Sequence, residues 1–238
     1  MTVAANISLI DWTVLPTTLP SGWRVLRLKF VASVRLSNVD KKSVEGEEPV
    51  RLCNYVDVYK NDFIRADMDF MEATATPAQV KRFSLKRGDV IVTKDSEEWS
   101  DIAVPAYVTE DMPGVLCGYH LALLRPRPGL IDGRFLFRAL AAEGVADQFR
   151  VAANGITRFG LGMDDIAGAL LPVPPLHVQV AIADYLDQKS AQIGDVISGF
   201  DITPTGGRLA KFVNLLHEYK EALVSSAVLG KRRVPQED

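Results

Sequence analysis

Four short stretches concentrate the side chains able to recognise another molecule: "YKND" (59–62), "TKDSEEWSD" (93–101), "GYH" (118–120) and "NGITR" (154–158). Each follows or precedes an apolar run, so each reads as a loop at a strand end. Their residue types can read the edges of DNA bases. Arg and Lys pair with guanine, Asn pairs with adenine, and a carboxylate accepts from cytosine. Loops held on a rigid scaffold are where recognition usually resides. The candidate contact residues are Lys60, Asn61, Lys94, Asp95, Ser96, Tyr119, Asn154, Thr157 and Arg158. Asp95 and Asp101 read rather as hydrogen-bond acceptors that order their own loops.

Reactive constellations are missing from the pattern. His120 leads into the apolar "LALL" run and reads as a hydrogen-bonded structural histidine, while His177 and His217 fall on expected helices without a partner that sequence can place. Cys53 and Cys117 lie far apart with no C-x-x-C spacing, and three scattered histidines cannot complete a zinc site around them. Both cysteines read as buried thiols of a reducing compartment. Neither a G-x-G-x-x-G nor a P-loop pattern occurs, and "FGLG" (159–162) is too short to cradle a phosphate. No cofactor, metal or catalytic residue is expected, and the chain reads as a binding module rather than an enzyme.

Stepping outward, the loops need strands to hold them. "VRLCNYVDVY" (50–59) alternates as a half-buried strand, "GDVIVTK" (88–94) is a β-branched run after a Gly-Asp turn, and "IAVPAYV" (102–108) and "LALLRP" (121–126) read as further strands. Pro105 suggests an edge or a bulge. "WRVLRLKFVASV" (23–34) suits either a strand or a short helix. "TPAQVKRF" (76–83) reads as a helix capped by Thr76, and "DGRFLFRALAAEGVADQF" (132–149) as one helix with an apolar face. Strands and helices follow no regular βαβ alternation, so residues 50–175 are expected to form a mixed α/β (α+β) globule.

The texture changes after the prolines of "LPVPPLHVQVAIADYLD" (171–187). Ile182, Leu186, Lys189, Ile193 and Val196 step by four and three, a heptad seam with Lys189 as its polar exception. "SGFDITPTGG" (198–207) then breaks the helix, and Leu209, Phe212, Leu216, Tyr219 and Leu223 form a second seam. Two such helices must pack on each other, on the globule or on another chain. A helical hairpin closing the domain's own core is the plainest of these options.

With 238 residues, 47% of them hydrophobic and 24% charged, the chain can bury a sizeable core unaided. The amino terminus has no basic region ahead of its apolar residues, and no apolar run approaches the roughly 20 residues that span a bilayer. The expectation is a cytoplasmic protein without a membrane. A net charge of −3 argues against indiscriminate nucleic-acid binding, yet the charge is uneven. Residues 81–94 carry five Lys or Arg against the single acid Asp89, and residues 95–111 carry only acids. A solvated surface would explain that pattern as well as a binding face does.

Several segments resemble type I restriction-modification specificity (S) subunits. "PPLHVQVAIADYLDQKSAQI" is similar to the family's P-P-L-x-E-Q-x-x-I-A-x-Y-L-D-x-x-T-A-x-I, matching at Pro174, Pro175, Leu176, Gln179, Ile182, Ala183, Tyr185, Leu186, Asp187, Ala191 and Ile193. "LLHEYKEALVSSAVLGK" (215–231) resembles its closing segment, and "GWRVLRLKFVA" its opening W-x-x-x-R-L-K. "FSLKRGDVIVTKDS" and "NGITRFGL" resemble its F-x-L-x-x-G-D-[IV] and G-x-T-R-x-x-L patterns. The resemblance runs from about residue 20 to residue 231. The chain departs from it at Val178, which replaces a Glu, and at the helix break.

The resemblance implies a target recognition domain over 1–175, a helical spacer and dimerisation region over 176–231 interrupted at 198–207, and a tail over 232–238. It implies double-stranded DNA as ligand. It also implies two partner proteins: a modification subunit that carries the S-adenosylmethionine site, and an ATP-driven restriction subunit. Complete S subunits hold two recognition domains, each followed by one helix, whereas this chain has one of each. It therefore reads as half of a larger protein or as a half subunit; the ending "GKRRVPQED" resembles a natural terminus, and pairing with itself as a homodimer is expected. The competing expectation is a protein-interaction or regulatory module of the same fold that does not read DNA, which the acidic balance would suit.

Overall fold

The computed structural model describes residues 15, 16, 18–198 and 207–234, with side chains from residue 211 onward in the last segment. The expected break at 198–207 lies mostly outside the described residues, as do the first fourteen residues and the last four.

The chain builds its core around two apolar runs that are buried on both faces. "VIVT" forms β7 (Val90–Thr93) and "LALLRP" forms β11 (Leu121–Pro126), adjacent and antiparallel in a five-stranded sheet. That sheet also contains β2 (Ala32–Leu36), β9 (Pro105–Val108) and β4 (Phe63–Ile64), in the order β2-β11-β7-β9-β4. Successive side chains of a strand point to opposite faces. Val90, Val92, Ala122 and Leu124 accordingly enter one apolar cluster, and Ile91, Leu121 and Leu123 enter the other. This is why both strands read as continuous apolar runs rather than alternating ones.

The second cluster is closed by a four-stranded sheet. Its strands are β5 (Met71–Ala75), β3 (Glu48–Cys53), β10 (Met112–Cys117) and β6 (Ser84–Leu85), in that order. The first cluster is closed by helices, so the globule has three layers: helices, sheet, sheet. Its mixed α/β class is the one the sequence predicts.

Local corrections have local causes. "VRLCNYVDVY" is not one strand, because β3 stops at Cys53 and α2 (Tyr55–Tyr59) begins. Asn54 is extended and its amide donates to the Asp57 carboxylate at 2.7 Å, which satisfies a helix start that alternation alone conceals. The expected helix over 132–149 is two helices, α4 (Gly133–Ala141) and α5 (Glu143–Ala152), broken at Ala142, whose ψ is 130°. Pro105 sits in an interior strand rather than at an edge, as the first residue of β9. The helix over 77–83, α3, starts at Thr76 as expected, with the Thr76 hydroxyl accepting from the Gln79 amide at 3.3 Å. "WRVLRLKFVASV" satisfies both expectations: β1 (Arg24–Arg27), a single turn α1 (Leu28–Val31), then β2.

The prolines form the joint to the long helices. β13 (Leu170–Val173) pairs with β1, Pro174 and Pro175 follow, and α7 (Leu176–Ser198) starts at once, with α6 (Met163–Gly168) lying before β13. Gln179, 1% exposed, locks that joint. Its carbonyl accepts from the Asp132 amide at 2.8 Å, and its amide donates to the carbonyls of Pro174 (2.9 Å) and Leu130 (3.2 Å). One turn pair further on, Asp187 accepts from Arg138 at 2.7 Å and Arg134 at 3.3 Å, while Arg134 also reaches Asp184 at 2.6 Å. The guanidinium of Arg138, 2% exposed, lies 4.9 Å from the Phe137 ring.

α8 (Gly207–Val228) packs on α7 and on α4. Leu223, Val224, Ala227, Val228 and Leu229 are buried in the first cluster together with Ile182 and Leu186 of α7. Ile193 is also buried, whereas Val196, Phe212 and Tyr219 are exposed and Leu216 is half-buried. The side chain of Leu209 lies outside the described residues. The two seams therefore serve the domain's own core near the globule and present apolar side chains to the outside further along.

Candidate nucleic-acid interface

Three of the four polar stretches meet at one edge of the globule. After β7, Lys94 leads into β8 (Asp95–Ser96), which pairs antiparallel with β12 (Phe159–Gly160). Lys94 also receives the Leu161 amide on its carbonyl at 2.8 Å, and its own amide donates to the His120 carbonyl at 3.0 Å. Three segments distant in sequence, 94–96, 119–120 and 154–160, are thus tied together through the backbone.

Asp95 is the electrostatic centre of that edge. Its carboxylate is 13% exposed and meets Lys94 Nζ at 3.2 Å, His120 Nδ1 at 2.8 Å and Arg158 Nε at 3.5 Å. The His120 contact is short but lies off the hydrogen-bond direction. The Lys94 ammonium also sits 4.6 Å from the centre of the Tyr119 ring, and that ring stands edge-on to His120 with centroids 5.0 Å apart. Lys94 and Arg158 are in this way both drawn to one carboxylate. Tyr119 is 47% exposed, and a ring with a cation above it offers both stacking and charge.

Ser96 is buried and organises its own loop. Its hydroxyl accepts from the Glu98 amide at 3.2 Å and lies 3.4 Å from the Tyr55 hydroxyl. Tyr55 stacks on Tyr59, whose hydroxyl donates to Asp101 at 2.6 Å. Hydrogen bonding to that carboxylate pushes the Tyr59 phenol above its ordinary value. Asp101 thus orders its loop, the role expected of it, and Trp99 of the same 3-10 turn is 53% exposed.

Asn154 and Gly160 exchange two backbone hydrogen bonds, at 3.1 and 2.8 Å, which close residues 155–159 into a tight loop. Gly155 has φ +146°, and a Cβ there would lie 1.9 Å from the Arg158 carbonyl oxygen. Only glycine fits that position. Asn154, Thr157 and Arg158 are all exposed on the loop.

Lys60 and Asn61 are placed elsewhere. They follow α2 and line a cleft with Asp62, Arg65, Asp187 and Lys220, where the globule meets the long helices. Asn61 donates to the Asp57 carbonyl at 2.8 Å. The structure therefore brings seven of the nine candidates together in one place and puts two at the joint. Tyr55 and Ile156, not among the candidates, lie at the same edge; the sequence marks Ile156 as an apolar residue inside a polar Gly-containing loop.

Burial pushes the thiols of Cys53 and Cys117 upward, as expected of unreactive structural cysteines. Among the described residues no group of His, Cys, Asp or Glu could hold a metal ion, and no helix is long and apolar enough to cross a membrane.

No protein-family model matches the sequence, and no curated protein matches it. Solved structures do. A chain from a structure describing complex assembly and conformational transition of a type I restriction-modification system shares 20% identity at a TM-score of 0.52, over 92% of this chain and 50% of that one. The HsdS subunit from Thermoanaerobacter tengcongensis shares 20% identity at a TM-score of 0.50, over 92% and 48%. The chain spans about half the length of these structures. Its fold, a mixed α/β globule continued by long C-terminal helices, is that of type I restriction-modification specificity subunits.

Proposed function

We propose that the chain is a DNA sequence-recognition subunit of a type I restriction-modification system. Residues 1–175 act as the target recognition domain and read one half-site. Residues 176–231 act as the spacer through which two copies pair, and residues 232–238 are a tail. The dimer directs a separate methyltransferase subunit, which supplies S-adenosylmethionine chemistry, and a separate ATP-driven endonuclease subunit to a bipartite site in the cytoplasm. The chain itself performs no catalysis.

The observation that carries this reading is the convergence of Lys94, Asp95, Tyr119, Asn154, Thr157 and Arg158 on one edge through the β8-β12 pairing. Cations restrained by a shared carboxylate, beside an exposed aromatic ring, suit base-edge reading better than general phosphate binding. The fold likeness supports the same assignment, and the net charge of −3 fits a protein that selects its DNA.

Selection from a random-sequence duplex pool with the purified full chain tests it. The proposal expects enrichment of one motif, and loss of preference in Arg158→Ala at one position by about 1–3 kcal/mol. A pool that returns without enrichment would favour a module that binds other proteins.

A further inference from the structure

Ile156 is 96% exposed, the furthest out among the large apolar side chains of the described residues. Folding gives no reason for it, since a side chain in water before and after folding contributes almost nothing to stability. The loop that carries it is nevertheless held firmly. Asn154 and Gly160 close it by two backbone bonds, the Asn154 side chain donates to the Ala152 carbonyl at 2.6 Å, and Gly155 presses against the Arg158 carbonyl. The loop base is pinned to β8 beside Lys94 and Asp95. An apolar tip is thus presented from a base that carries the paired Lys94 and Asp95.

Its surroundings select the kind of surface it meets. A protein interface sets its apolar residues in a contiguous patch with a polar rim. Within its own loop Ile156 is instead a single apolar group among exposed Asn154, Thr157 and Arg158; the exposed Val151 lies outside that loop, on α5. A single branched apolar group flanked by hydrogen-bonding and cationic side chains is what a DNA groove accepts. Its partner there is a thymine methyl or the gap of an opened base step.

We propose that Ile156 is a specificity-determining residue that makes an apolar contact with a base, while its polar neighbours engage base edges and backbone. The inference rests on the DNA-reading function proposed above.

The test compares wild type, Ile156→Ala and Ile156→Val in selection from a random-sequence duplex pool, each as the full chain with folding checked by circular dichroism. The expected result is that Ile156→Ala relaxes one position of the enriched motif by about tenfold, that Ile156→Val keeps most of the preference, and that the salt dependence of affinity is unchanged because no phosphate contact is lost. Two further duplexes built on the enriched motif separate the two base partners. Replacing thymine by uracil at the relaxed position should weaken wild type and leave Ile156→Ala unaffected if the methyl is touched. A 2-aminopurine in place of an adenine flanking that position should brighten with wild type alone if a step is opened. If wild type enriches a motif and Ile156→Ala enriches the same one with equal preference at every position, the inference is overturned and the DNA-reading function stands. If wild type enriches nothing, the function itself fails and the inference falls with it.

Discussion

Asp95 shows how one carboxylate can gather side chains from three segments at one edge. Lys94 and Arg158 both face it, so removing its charge frees these two cations and at the same time loosens them. Asp95→Asn is therefore expected to hold or raise affinity for random duplex while flattening sequence preference, read by fluorescence anisotropy against competitor DNA. Weaker binding to every duplex alike would contradict that role. Asp89 has a different task. It is 1% exposed, accepts both nitrogens of Arg125 at 2.7 Å and caps the Lys86 amide at 2.9 Å. Removing one partner of such a pair costs about 3–5 kcal/mol, so Asp89→Ala should lower the unfolding free energy by about that much and move the urea midpoint down accordingly. An unchanged midpoint would show that the pair is dispensable. The charge run over 81–94 thus hides a structural acid, which counting charges could not distinguish from surface.

At the scale of elements, the chain is most legible where one force dominates. Thr76-Pro77 starts a helix by capping, and "VIV" and "LALL" form strands by burial on both faces, so these were plain from sequence. Where two forces compete, the pattern misleads. Val56 and Val58 alternate like strand residues, yet Asn54 and Asp57 cap a helix turn, and Val56 ends up exposed while Val58 is buried. The break at Ala142 is signalled only by Gly144 two residues on; α8 packs there, with the Ser225 hydroxyl accepting from the Glu143 amide at 3.0 Å. The candidate site was legible in residue type because polar side chains clustered at strand ends. Its assembly was not, because the β8-β12 pairing joins segments some sixty residues apart and no local signal specifies it. The joint gives a sharp expectation. Gln179 satisfies three backbone groups, so Gln179→Ala leaves all three without that partner, the buried Pro174 carbonyl among them, at about 1–3 kcal/mol for that group. Urea unfolding should report a loss of at least that size, and a wild-type midpoint would contradict the account of the joint.

For the whole molecule, the long helices carry two surfaces. Near the globule, α7 and α8 bury Ile182, Leu186, Leu223 and Val228 in the domain's own core, and further out Val196, Phe212, Leu215 and Tyr219 are exposed. An apolar stripe of this kind is what a second copy would cover. Light scattering coupled to sizing is expected to give a dimer at micromolar concentration, with Leu215→Glu shifting it to monomer. A strict wild-type monomer would remove the symmetric arrangement. The central claim is that the chain selects the DNA sequence on which separate subunits act. Methylome sequencing of cells with and without its gene, beside the modification subunit, tests that claim most directly. The account predicts that one gapped, inverted-repeat methylation motif disappears with the gene, its two halves alike because each is read by the same chain. An unchanged methylome would contradict it.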